Sequence, residues 1–167
     1  MGYSTSCRIL GWGHMAFTRA VVSTPDMGKR GRAPHGSPIL IHATAEETGG
    51  AFGMWETFVP PGKGPAPHIH TREAEVFRVI SGTFRFFCGD DVVEGGPGTV
   101  VTLPPNVSHH WINIGESPGQ VMAIVSPGGC EQLFIEIAKL DRPMPTEIAA
   151  IEKRLGIINE ETRRLLD

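Results

Sequence analysis

Three histidines and one glutamate stand in two short clusters near the middle of the chain. The first cluster holds His68, His70 and Glu75, and a later segment contributes His109. Imidazole nitrogens and carboxylate oxygens are the donors that divalent transition metals bind in proteins. The residue types therefore predict one metal ion held by two separate parts of the chain, and iron, manganese, cobalt, nickel, copper and zinc all suit the ligand set.

A β-strand explains how these side chains meet. Successive side chains of a strand alternate between its faces, so His68 and His70 project to the same side. A short turn at residues 71–72 lets the chain return and aim Glu75 at the same point. Glu73 is the nearest rival carboxylate, but it follows His70 so closely that little room is left for the turn, and Glu75 is the preferred ligand.

The second cluster follows the same alternation. His109 shares its face with Trp111 and Asn113, whereas His110 points to the opposite side unless a bulge exchanges the two histidines. We interpret His14, His35, His42 and His110 as surface or structural residues.

The elements that must position these ligands are short strands. The chain has 167 residues with 21 glycines and 14 prolines, which suits one domain rich in turns. Strands are predicted at residues 39–44, 50–59, 66–70, 73–81, 82–88, 92–93, 99–103, 109–113 and 120–125. Many short strands without intervening helices indicate an all-β, antiparallel jelly-roll barrel.

The two ends of the chain differ from this barrel. We expect an N-terminal arm and loop over residues 1–37, with residues 27–38 as an exposed loop, and a barrel over residues 38–137. A C-terminal helical tail is expected over residues 138–167. Thr146 is the predicted cap of a helix that stops at Gly156, a further helical turn is expected from Asn159, and the tail is expected to pack outside the barrel or on a partner subunit.

The two clusters resemble the paired motifs of the cupin superfamily. The residues that carry this resemblance are Gly62, His68, His70, Glu75 and Gly82 in the first motif and Gly98, Pro104, His109 and Asn113 in the second. Asn106 stands where the second motif usually has glycine, and asparagine tolerates left-handed backbone geometry better than most residues. The resemblance implies a cupin barrel in which the four ligands bind one divalent metal ion.

A wider stretch, residues 39–137, resembles the single-domain quercetin 2,3-dioxygenase-like cupins. The similarity is carried by the sequences ETGG at 47–50, VPPG at 59–62 and SPGG at 126–129. In enzymes of this kind the metal binds a substrate hydroxyl or enolate together with dioxygen, and the glutamate acts as a base. The resemblance thus implies that Glu75 is the catalytic base, and it also implies a homodimer.

The predicted substrate pocket is apolar. Its expected lining is Met54, Phe77, Phe84, Phe86 and Trp111, with Trp55 as an alternative to Met54 on the same strand. Aromatic walls suit a flat, enolic or aromatic small molecule better than a sugar, whose hydroxyl groups need polar partners. We therefore predict a metal-dependent dioxygenase acting on a flavonol-like substrate. An oxygen-independent isomerase, cyclase or lyase, or a non-catalytic ligand-binding cupin, are the alternatives.

Composition excludes other classes of partner. A formal net charge of -3 argues against nucleic acid or an anionic membrane, since both favour a basic surface. No segment has the roughly 20 apolar residues of a transmembrane helix. Cys7, Cys88 and Cys130 are widely spaced and odd in number, which favours a reducing, cytoplasmic compartment without a disulfide framework. Cys88 and Cys130 are expected to be small buried residues.

Overall fold

The computed structural model describes residues 17–165, so Cys7, His14 and residues 1–16 of the expected arm lie outside it. The described residues contain strands and two α-helices in the following order: β1 (Lys29–Arg32), β2 (Pro38–Ala43), β3 (Gly53–Val59), β4 (His68–His70), β5 (Ala74–Ser81), β6 (Phe84–Cys88), β7 (Asp91–Gly95), β8 (Val100–Leu103), β9 (His109–Asn113), β10 (Gly119–Ser126), α1 (Gln132–Lys139), α2 (Pro145–Leu155) and β11 (Ile157–Asn159). A short 3-10 helix follows at Arg163–Leu165.

Two antiparallel sheets face each other across the core. One sheet has the strand order β1-β2-β3-β10-β5-β8 and the other has the order β11-β4-β9-β6-β7. Their inner faces alternate with their outer faces, as β10 illustrates: Val121, Ala123 and Val125 are buried, whereas the residues between them are half-buried. The predicted antiparallel jelly-roll barrel is thereby confirmed.

The β8–β9 connection joins the second motif to a ligand strand. Asn106 adopts the left-handed conformation with φ 63°, which is the geometry that its place in the motif requires. Its backbone N–H donates to the carbonyl oxygen of His70 at 2.8 Å. Asparagine therefore replaces glycine here without loss of the turn, and the turn fixes the end of β4.

Glu131 links two of the glycine-rich motifs inside the protein. Its carboxylate accepts hydrogen bonds from the backbone N–H groups of Ala45, at 2.7 Å, and Gly129, at 2.8 Å. The same carboxylate occupies the space where a Cβ on Gly53 would stand. The segments around residues 45–53 and 126–131 are thus held together by one fully buried side chain.

The expected loop at residues 27–38 contains a strand. Strand β1 pairs with β2 and forms one edge of the six-stranded sheet. Gly31 lies against Phe134 of α1, where a larger residue would clash, so its glycine allows a close approach of helix and strand. Arg32 then caps the helix by donating to the carbonyl oxygens of Ile137, at 2.8 Å, and Leu140. Arg32, which lies in the segment predicted to be an exposed loop, thus has structural partners in the folded protein.

Helix α1 begins inside the segment expected to be barrel. It buries Leu133 and Ile137 against the core, but eight residues make barely two turns and give little periodicity to read. The predicted helix before Gly156 is confirmed as α2, with Gly156 in the left-handed conformation at φ 79°. Its cap is corrected from Thr146 to Met144, whose N–H donates to Glu147 at 2.8 Å.

The tail differs most from expectation. Asn159 ends strand β11, which pairs antiparallel with β4, and the predicted further helical turn begins later, as the 3-10 helix Arg163–Leu165. In this register Ile157 lies opposite His70, and Asn159 lies opposite His68. The segment after Ile137 therefore does not simply pack outside the barrel, because it extends the sheet that carries two of the predicted ligands.

Candidate metal centre

Strands β4, β5 and β9 bring the four predicted ligands together. His68 and His109 are paired residues of neighbouring strands, and His70 and Glu75 lie on either side of the turn between β4 and β5. The ligand atoms of His68, His70, Glu75 and His109 all lie within 4.8 Å of one another. Alternation along β4 and antiparallel pairing with β9 are thus sufficient to converge residues that are distant in sequence.

Hydrogen bonds orient two of the three imidazole rings. The Nδ1 atom of His68 lies 2.8 Å from the carbonyl oxygen of Ala66, and the Nδ1 atom of His109 lies 2.9 Å from that of Val107. A carbonyl oxygen only accepts, so both rings carry their proton on Nδ1. The Nε2 lone pairs of His68 and His109 are consequently available for a metal ion.

The third ring faces two carboxylates. The Nε2 atom of His70 lies 3.8 Å from the carboxylate of Glu75, and its Nδ1 atom lies 3.5 Å from that of Glu73. Burial opposes a charged His70, but the contact with Glu73 and the charges of Glu75 and Glu73 outweigh it and raise the pKa of His70. His70 is therefore more basic than an ordinary histidine.

His68 has the opposite shift. Burial, with the neighbouring imidazoles of His70 and His109, lowers the pKa of His68 to about 3. A neutral ring at physiological pH keeps its lone pair without competition from a proton. His68 is accordingly prepared to act as a metal ligand.

Glu75 supplies the negative charge of the cluster. Its Oε2 atom lies 3.4 Å from Nε2 of His109 and has no hydrogen-bond partner among the described residues. Burial disfavours the charged carboxylate, but the contact with His109 and the charges of the nearby imidazoles lower the pKa of Glu75. This buried carboxylate is therefore ionised at neutral pH.

These observations fit a bound divalent ion. Oε2 of Glu75 and Nε2 of His109 are buried and have no hydrogen-bond partner within residues 17–165, which is costly unless another group satisfies them. Two ligands on opposite sides of an ion with bonds of about 2.1 Å stand about 4.2 Å apart, so the 4.8 Å cluster needs only small adjustments. The cluster can hold one metal ion, and its donor set does not select among transition metals.

A cavity of about 420 Å³ opens onto the ligands. Three ligands, His68, His70 and Glu75, form part of its wall. The remaining wall is largely aromatic and aliphatic, and it includes Trp55, Phe77, Trp111, Leu133, Phe134, Ile148 and Ile157. The helices and β11 thus contribute directly to the cavity.

The predicted pocket residues separate into two groups. Phe77 and Trp111 line the cavity as expected. Met54 is on the other face of β3, where it lines a different groove, and its neighbour Trp55 lines the cavity instead. Phe84 and Phe86 are buried in the core but do not line the cavity. They pack behind the lining, with Phe84 5.6 Å from Trp111 and Phe86 5.7 Å from Phe77 between ring centroids.

His35 is a cavity residue that the sequence interpretation placed on the surface. Its ring meets Trp111 edge-on at 6.5 Å, and neither ring nitrogen has a hydrogen-bond partner among the described residues. Burial, together with the charge of Lys63, lowers the pKa of His35, so the ring is neutral at physiological pH. No pattern in the sequence marks this position, because its place depends on the β1–β2 hairpin.

Cys130 also lines the cavity. Burial, and then the charges of Glu75, Glu73 and Glu131, raise the pKa of the Cys130 thiol well above its usual value. The thiol is therefore protonated and is a small buried group rather than a nucleophile. Cys88 and Cys130 both carry free thiols.

His42 and His110, also predicted to be surface or structural residues, face away from the ligands. His110 stacks on Phe87 with ring centroids 4.3 Å apart, on the opposite face of β9 from His109. His42 contacts Ser23 at 2.9 Å and Glu56 at 3.4 Å. No bulge exchanges His109 with His110.

The chain contains a recognisable domain. Residues 55–125 match the family model of the cupin domain. A germin-like protein of Mesembryanthemum crystallinum is 38% identical over 72 residues, which cover 37% of this chain and 30% of that protein. The match to this curated relative thus spans less than a third of the relative's length. Residues 55–125 thus resemble a cupin domain in sequence, and the fold of the described residues is similar to that of solved cupin structures.

Several solved structures have a similar fold. An RmlC-like cupin from Shewanella frigidimarina superposes with a TM-score of 0.58 and 16% identity, covering 68% of this chain and 96% of that one. A predicted oxalate decarboxylase from Thermotoga maritima gives a TM-score of 0.53 and 20% identity, covering 60% and 91%. At these identities the similarity concerns the fold alone. Within residues 17–165, no helix has the length and apolar character needed to cross a membrane.

Proposed function

We propose that this protein is a metal-dependent dioxygenase of the quercetinase-like cupin type, acting on a small enolic or aromatic, flavonol-like substrate. The observation that carries the proposal is the position of the ligand cluster. The cluster of three imidazoles and one carboxylate adjoins a cavity: His68, His70 and Glu75 form part of its wall, and the remaining wall is largely aromatic and aliphatic.

The cavity favours a flat substrate over a sugar. Its volume of about 420 Å³ lies within the range of small-molecule sites. Trp55, Phe77 and Trp111 offer aromatic surfaces but few hydrogen bonds. The polar groups contributed by α2 and β11 are partly occupied with one another, since Asn159 and Thr162 both donate to Glu152.

Glu75 is the proposed catalytic base. A divalent metal at this centre would act as a Lewis acid that binds and polarises an enol-type hydroxyl and would supply the site for dioxygen. The ionised carboxylate of Glu75 is buried beside that position, and its Oε2 atom has no hydrogen-bond partner in the described part of the chain. With a metal ion bound, rotation of the Glu75 side chain away from it would allow this oxygen to accept the substrate proton.

Oxygen uptake tests the proposal. Protein loaded separately with iron, manganese, cobalt, nickel, copper or zinc is given quercetin, with the His109→Ala variant as control. We expect uptake with at least one metal in the wild type and none in the variant. Absence of uptake with every metal would refute the dioxygenase, and product formed without oxygen would favour an isomerase, cyclase or lyase. A melting-temperature shift without any product would favour a binding protein.

We also propose that the protein is a cytoplasmic homodimer. Phe58, Ile80 and Val100 are exposed apolar residues, and all three lie on the outer face of the six-stranded sheet. An apolar sheet face is a suitable surface for a second copy of the chain. Light scattering at micromolar concentration should give twice the chain mass of 18.1 kDa. A monomer mass would reject the dimer.

A further inference from the structure

The three imidazoles of the metal centre are oriented by different kinds of partner. The Nδ1 atoms of His68 and His109 are held by main-chain carbonyl oxygens, at 2.8 and 2.9 Å. His70 has no such partner among the described residues, and its Nδ1 faces the carboxylate of Glu73 at 3.5 Å. His70 is therefore the ligand whose orientation depends on a side chain.

Glu73 has little other reason to be buried as an acid. Its side chain is 3% exposed, and His70 is its only ion-pair partner among residues 17–165. Its Oε2 atom has no hydrogen bond in this part of the chain. A buried carboxylate without a compensating cation is costly, so a role at the adjacent centre is the simplest physical reason for its presence.

Backbone hydrogen bonds fix the turn that places Glu73 beside the Nδ1 atom of His70, on the side of the ring away from Glu75. Both the N–H and the hydroxyl of Thr71 donate to the carbonyl oxygen of Gly156, at 3.0 and 2.7 Å. On the other side of the strand end, Asn106 donates to the carbonyl oxygen of His70. The turn that carries Glu73 is thus pinned from two directions, and its carboxylate faces Nδ1 while Nε2 faces Glu75.

We propose that Glu73 is a positioning residue of the metal centre: its carboxylate accepts the Nδ1 proton of His70 in a hydrogen bond and holds Nε2 toward the ion. A carboxylate behind a histidine ligand fixes the tautomer and the ring orientation and makes the ligand more basic. The nearby acid that seemed a rival ligand thus acts through His70.

Zinc affinity of the Glu73→Gln variant tests this role without any need for turnover. We expect the zinc dissociation constant, measured by competition with a chromophoric chelator, to rise about 10- to 100-fold. The matched control is Glu152→Gln, because Glu152 is another buried carboxylate in the cavity wall that contacts no ligand. The control should stay within about twofold of the wild type. A Glu73→Gln constant within that same range would overturn the proposal.

A nitrogen-15 NMR spectrum of the zinc-loaded wild type tests the role of Glu73 even if the Glu73→Gln variant does not fold. We expect the zinc-bound His70 to show a protonated, hydrogen-bonded Nδ1, and this signal to change in Glu73→Gln while those of His68 and His109 stay in place. Zinc bound through Nδ1 of His70, or directly by Glu73, would refute the positioning role. Because zinc binding is measured, a failure of the dioxygenase proposal leaves this test unaffected.

Discussion

The ligand strands and the C-terminal segment line the same cavity but reach it by different means. In β4 and β9, alternation and one antiparallel pair place His68 and His109 side by side. In the C-terminal segment, α2 and β11 reach the wall only through long-range contacts, including the pairing of Ile157 with His70. The comparison separates two tasks: a local pattern builds the chemical centre, whereas tertiary packing determines the space available to a substrate.

The strongest challenge to this division is removal of a ligand from β9. His109→Ala should lower metal affinity by more than the roughly 10- to 100-fold typical of residues behind a ligand, because it removes a donor outright. The barrel should remain folded, since among the described residues His109 loses one main-chain hydrogen bond of its Nδ1 atom, to Val107. Metal analysis and circular dichroism measure the two effects. Full metal occupancy in the variant would exclude His109 from the centre.

Changing Glu75 should separate binding from chemistry. Glu75→Gln keeps an oxygen donor but removes the base, so most of the metal should stay while turnover falls about 10²- to 10⁴-fold. Metal content and oxygen uptake of the same preparation give both numbers. Turnover at the wild-type rate would disprove the proposed base.

In the C-terminal segment, a substitution at Gly156 is the clearest test of this comparison. It has φ 79°, and a Cβ at this position would stand 2.6 Å from the hydroxyl oxygen of Thr71. Gly156→Ala should therefore lower the free energy of unfolding by about 1–2 kcal/mol, measured by urea titration. Zinc affinity should fall by less than in the Glu73→Gln variant, because Gly156 affects the ligands through Thr71 and the turn that carries Glu73. A large loss of zinc binding with normal stability would contradict the proposed separation of tasks.

The smallest effect is expected at His35. Its pKa is lowered in the folded protein, so the unfolded chain binds more protons at mildly acidic pH. The contribution of His35 to stability is therefore lost as the pH falls below about 6.5, the usual histidine pKa. His35→Phe should remove this part of the pH dependence, which urea titrations from pH 5 to pH 8 would detect. An unchanged pH profile would show that the ring is not buried as a neutral group.

The sequence was sufficient to predict which four residues form the candidate metal cluster, but not which residues line the whole cavity. Alternation of period two is a local property, so His68, His70 and His109 could be assigned to inward faces in advance. The same rule left β3 ambiguous, because Met54 and Trp55 are both apolar and either face could have been the inner one. Trp55 faces the cavity.

Alternation along a strand also does not show how deep in the barrel an inward-facing side chain lies. Phe84 and Phe86 point inward, but they lie behind the cavity lining and fill the core. The positions of His35 and β11 were beyond local patterns for the same reason. A three-residue strand carries almost no periodic signal, and its partner β4 lies far away in sequence.

X-ray absorption spectroscopy of the zinc-loaded protein tests the central claim most directly. The structure predicts one ion per chain with three imidazole nitrogens and a carboxylate oxygen at about 2.0–2.2 Å. His109→Ala should lose one imidazole from any zinc it retains. A spectrum without imidazole scattering, or one with the same three imidazoles in the variant, would contradict the proposed centre.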